Sequence, residues 1–92
     1  MSKTILIIDD SEIVREQIAH ELKSAALCDL ILQAGDGIEA FKLLLSAPID
    51  LTLCDLEMPR VDGFKLLGMI AGNEALRDIP VIMLTGHRDQ EL

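Results

Sequence analysis

A doubly wound α/β fold, with parallel strands and helices on both faces of one sheet, is what this sequence predicts, on three observations. Short apolar runs alternate with longer segments of helical period along the chain. Hydrophobic residues make up 50% of the 92 positions, which suits a sheet buried on both faces better than a half-solvated one. The apolar runs also stop at polar residues: the first at Asp9-Asp10, the third at Asp55 and the fourth at Thr85. Strand and helix in alternation build right-handed βαβ units and hence a parallel sheet. The length allows one domain, at the small end of what folds alone.

Thr4 to Ile8 is a continuous apolar run and reads as a fully buried strand. Ser11 then caps a helix, with Glu12 in the first turn, where the macrodipole favours negative charge. Val14, Ile18 and Leu22 give that helix an apolar stripe. Leu30-Ile31-Leu32 is a second strand, ending in Ala34-Gly35-Asp36-Gly37. Asp36 and Glu39 have the spacing of a capping box, and the helix behind them carries Ile38, Phe41 and Leu45, with Pro48 just past its end. Leu51 to Cys54 is a third strand, stopping at Asp55. Residues 56–63 form a loop with Pro59 and Asp62-Gly63 as its turn chemistry. Phe64, Leu67 and Ile70 mark a third helix that Gly72-Asn73 ends. Ile79 to Leu84 is the fourth strand, with Pro80 at its start, where proline is tolerated.

Composition narrows the function classes. With 16 acidic and 8 basic residues the net charge is −8, and the basic residues are spread without a cluster. A nucleic-acid surface needs concentrated positive charge, so direct nucleic-acid binding is not expected. Cys28 and Cys54 lack metal-type spacing and sit in apolar stretches, as buried free thiols do. Strand alternation turns Cys54 away from the side taken by Asp55. His20 reads as a helix-surface residue and His87 as a loop residue. The run Ile5 to Ile8 is too short for a signal-peptide core or a membrane span. The expectation is a reduced, cytoplasmic protein with no membrane partner.

Open α/β sheets bind ligands beyond the carboxyl ends of their strands, where Asp9, Asp10, Asp55 and Thr85 fall. Carboxylates converging there repel one another, so a proton or a cation must be present at neutral pH. Magnesium takes hard oxygen ligands and keeps waters that phosphate oxygens can replace. An aspartate can act as nucleophile toward phosphorus, with positioning and charge neutralisation supplying most of the catalysis. A hydroxyl such as that of Thr85 could hydrogen-bond the new phosphate. Taken singly, the acidic pair also reads as a helix cap, Asp55 as a loop acid and Thr85 as a strand-end hydroxyl. Their convergence carries the site.

Four stretches, in order, resemble the receiver domains of bacterial response regulators in two-component signalling. They are Ile7-Ile8-Asp9-Asp10-Ser11, Ala34 to Ala40, Cys54-Asp55-Leu56-Glu57-Met58-Pro59-Arg60-Val61-Asp62-Gly63, and Pro80 to Gly86. The resemblance implies a flavodoxin-like receiver fold, with Asp55 as the phosphorylated aspartate. It also implies Mg2+ held by Asp10 directly, by Asp9 mainly through water, by Asp55, and by the backbone carbonyl of Glu57. Thr85 would be the switch hydroxyl. Receivers of this family carry a lysine after a fifth strand and an aromatic switch on that strand. The sequence has no lysine after Lys65 and stops before both, so residues 1–92 read as a C-terminally incomplete receiver, lacking the last strand and helix.

Three functions compete. The leading one is not an enzyme but a signalling module, phosphorylated on Asp55 by a sensor histidine kinase or phosphotransfer protein. The second is a phosphohydrolase, although haloacid-dehalogenase-like enzymes want Asp-x-Asp where this chain has Asp9-Asp10-Ser11. The third is a non-phosphorylatable receiver fragment serving as a dimerisation or interaction module. The fourth strand would then be a bare edge through which copies of the chain form a homo-oligomer.

Overall fold

The computed structural model describes residues 3–55 and 63–84. Its elements alternate as β1 (Thr4–Ile8), α1 (Glu12–Ser24), β2 (Leu30–Ala34), α2 (Gly37–Ser46), β3 (Leu51–Asp55), α3 (Gly63–Ala71) and β4 (Val81–Leu84). The four strands form one parallel sheet in the order β2-β1-β3-β4. This is the predicted doubly wound sheet. No helix among the described residues is long and apolar enough to cross a membrane.

β1 is central, and all five of its residues are buried. Period-two alternation divides them between two cores. Ile5 and Ile7 face α1, packing with Ala19, Ile18 and Leu22. Leu6 and Ile8 face α2 and α3, packing with Ala40, Leu44, Leu66 and Ile70. Thr52 lies on this second face beside Leu6, and its buried hydroxyl has no hydrogen-bond partner in the structure.

The helix stripes differ in phase from the sequence reading. In α2 the buried residues are Gly37, Ala40 and Leu44, with Phe41 half-buried and Ile38 and Leu45 exposed. In α3 they are Gly63, Leu66 and Ile70, while Phe64 is 69% exposed. One residue is a rotation of about 100° on a helix, enough to move a side chain from core to solvent. Gly37, Ala40 and Gly63 are among the buried residues, and apolar periodicity discounts such small residues. In α1, Ile18 and Leu22 pack inward as expected, whereas Val14 is exposed. β4 begins at Val81, two residues later than the apolar run suggests. The Pro80 carbonyl accepts from Thr52 N–H at 3.0 Å just before it.

Helix ends follow their chemistry. The Ser11 side chain accepts from Val14 N–H at 3.3 Å, and Asp36 Oδ1 from Glu39 N–H at 2.8 Å. Glu39 reaches back, but to the Gly35 N–H at 2.8 Å, one residue before the cap. α3 stops at Ala71, as the Gly72-Asn73 pair predicts. Asn73 then organises a tight turn, accepting from Leu76 and Arg77 N–H through its carbonyl, and Leu76 plugs the core.

Candidate metal and phosphoacceptor site

The sheet order makes the crevice. The chain passes from β1 to β2 on one side and then to β3 on the other, so the connections diverge beyond the carboxyl ends of β1 and β3. Register aligns Ile8 with Cys54, which brings Asp9 beside Asp55. The apolar strand can go no further, since the next residues must leave the sheet and turn into α1.

Asp9 is held on every side. Its N–H donates to the Ala34 carbonyl at 3.1 Å, extending the β1-β2 pairing by one residue. Its Oδ1 accepts from Ser11 N–H at 2.9 Å. Its carbonyl accepts from Arg15 Nη1 at 2.6 Å, and Arg15 Nε donates to Gln33 Oε1 at 3.0 Å. Asp10, next in the chain, is exposed to solvent.

One carboxylate oxygen from each of Asp9, Asp10 and Asp55 lies within 4.8 Å of the other two. Asp9 and Asp55 are each only 9% exposed. Burial pushes the Asp9 carboxyl above the ordinary carboxylate range; the Ser11 hydrogen bond opposes the rise, and the nearby Asp55 and Asp10 charges add to it. This is the electrostatic state of a site that wants a cation.

The donor set fits magnesium. Magnesium takes hard oxygen ligands, uses few protein carboxylates and fills its remaining positions with water. Solvent at Asp10 leaves the remaining positions open to water or to phosphate oxygens.

Cys54 is buried and free, with its thiol pushed up to about 12 by burial first and by the Asp55 and Asp9 charges second. It is the inert core thiol the sequence predicts, packed with Ile8 and Leu66 rather than turned to the site. His20 is exposed on α1, also as predicted. Glu57, Thr85 and His87 lie outside the described residues. Sequence reasoning missed Arg15 and Gln33. The available signal was the lean of helical side chains toward the helix N-terminus, which lets a long cation in the second turn reach back to the strand end.

The model of the response regulator receiver domain family matches residues 5–92. The chain belongs to this family. It is a receiver domain of two-component signalling, in which the acidic cluster stands at the carboxyl ends of β1 and β3. It is 39% identical over 88 residues to a probable cyclic di-GMP phosphodiesterase of Vibrio cholerae, covering 96% of this chain and 19% of that protein. It is 35% identical to Protein PilG of Pseudomonas aeruginosa, covering 88% of this chain and 58% of the relative. The N-terminal domain of a response regulator receiver protein from Methanoculleus marisnigri JR1 superposes with a TM-score of 0.85 at 36% identity, covering 91% of this receiver and 67% of that chain. The receiver thus spans 19% and 58% of the two curated relatives, and the phosphodiesterase name belongs to a much longer protein.

Proposed function

We propose that this receiver accepts a phosphoryl group on Asp55 from a histidine kinase or phosphotransfer protein, with Mg2+ held by Asp9, Asp10 and Asp55. The observation that carries this reading is the three carboxylates meeting at the sheet's switch point, two of them buried. A carboxylate oxygen of Asp55 attacks phosphorus as the bond to the donor imidazole nitrogen breaks, and the electron pair of that bond returns to the imidazole. The bound cation supplies charge neutralisation on the transferring group. Asp9 and Asp10 would hold the cation beside the Asp55 carboxylate. The backbone carbonyl of Glu57 would add a further metal ligand, and the Thr85 hydroxyl would bond the new phosphoryl group as the switch. The protein acts in the cytoplasm as a signalling module, without turnover of its own.

A further part of the proposal is association of two copies along β4. It is supported by the position of β4 at the sheet edge among the described residues and by Ile82, which is 49% exposed on that strand.

Fluorine NMR of the chain with beryllium fluoride, an analogue of the phosphoryl group, tests both parts. Bound resonances should appear only when Mg2+ is present and should be missing in Asp55→Asn, and the diffusion rate should be that of a dimer. No bound resonance from the wild type, or the same one from Asp55→Asn, would remove Asp55 from the proposed role. Monomer diffusion independent of concentration would remove the association.

A further inference from the structure

Arg15 belongs to no part of the proposed phosphoryl-transfer chemistry, yet it joins three elements at the site. From the second turn of α1 its Nη1 donates to the carbonyl of Asp9 at 2.6 Å, and its Nε to Gln33 Oε1 on β2 at 3.0 Å. β2 therefore grips Asp9 twice: directly, through the Ala34 carbonyl and the Asp9 N–H, and indirectly, through Gln33 and Arg15. The neighbouring main chain leaves room for the guanidinium. A Cβ at Gly35 would stand 3.4 Å from Arg15 Nη1, in van der Waals contact with the fork.

We propose that Arg15, locked by Gln33, is a positioning residue that sets the direction in which Asp9 and Asp10 present their carboxylates to a divalent cation. The inference rests on the reading of this cluster as a magnesium site. The Asp9 carbonyl and the Asp10 N–H share one rigid peptide plane, so a donor fixed on that oxygen also fixes the Cα of Asp10. Asp10 is the exposed member of the cluster and is the one whose direction the surrounding core defines least. The planar guanidinium holds two donors at a set angle, which an ammonium cannot do. Partners that orient metal ligands in this way commonly change metal affinity when removed.

Charge and positioning predict opposite signs. Arg15 is a cation beside the cluster, and its charge alone repels a second cation. If it acted by charge alone, its removal would tighten magnesium binding. If it positions the ligands, removal weakens binding in spite of the lost repulsion.

Calorimetric titration of the 92-residue chain with MgCl2, alongside melting temperatures in EDTA, separates the two. Arg15→Met should weaken Mg2+ binding about tenfold. Gln33→Leu, which leaves the charge in place, should weaken it several-fold, and Arg15→Lys should fall between Arg15→Met and the wild type. A folded Arg15→Met that binds Mg2+ as well as the wild type, or more tightly, overturns the inference. If Arg15→Met does not fold, Gln33→Leu decides alone, and unchanged affinity there overturns it. Failure of the underlying reading is visible separately, as no Mg2+ binding by the wild type or as wild-type binding by Asp10→Asn.

Discussion

At Asp9 the main chain and the side chain are both occupied, by Ala34, Arg15 and Ser11, while the carboxylate faces two others. Burial raises its pKa when folded, so between the ordinary carboxylate value and the raised one the folded protein holds more protons than the unfolded chain. Stability without metal therefore falls as pH rises through that window, and the full penalty persists above it. Asp9→Asn removes the penalty. In EDTA at neutral pH the variant should be more stable, on the order of 1 kcal/mol, a rise in Tm of roughly 4–8 °C. The gain should vanish below the ordinary carboxylate range; urea unfolding at a series of pH values measures it. Asp9, Asp10 and Asp55 were legible in the sequence because each follows an apolar run that has to end. Arg15 was not, since its value comes from a partner on the following strand, and a lone basic residue looks like any other surface charge.

Among the elements, β1, β2 and β3 and the ends of the helices were readable from local chemistry, because a buried strand and a capping side chain need only their own neighbours. Helix phase was less so. Gly37, Ala40 and Gly63 are buried in α2 and α3, while large apolar residues such as Phe64 and Leu45 stay outside. Tertiary packing outweighs side-chain hydrophobicity there. The end of α1 holds a testable irregularity. Leu27 N–H donates to the Leu22 carbonyl at 3.2 Å and Ala26 N–H to the Lys23 carbonyl at 3.0 Å, the two bonds of a Schellman motif. The left-handed position is filled by Ala26, with φ 56°, where glycine would carry no Cβ strain. Ala26→Gly should stabilise the fold by about 1 kcal/mol, read as a shifted denaturation midpoint with unchanged slope.

On the scale of the whole molecule, the strand order converts a local habit of the sequence into a site. Asp9-Asp10 and Asp55 are far apart in the chain, and they meet only because β3 pairs with β1 on the side opposite β2. The alternation of elements made the parallel sheet predictable, and the carboxylates at its strand ends made the crevice predictable. The shape of the loop after Asp55 and the place of Thr85 depend on residues outside those described. Family membership adds the signalling context, and the role proposed for Asp55 is that of acceptor once a cation neutralises the cluster. The most direct test is intact mass spectrometry after incubation with acetyl phosphate, with and without Mg2+, on the wild type and Asp55→Asn. A single phosphoryl adduct is expected on the wild type, in Mg2+ only. An adduct that persists in Asp55→Asn, or one that forms equally well in EDTA, would contradict that role.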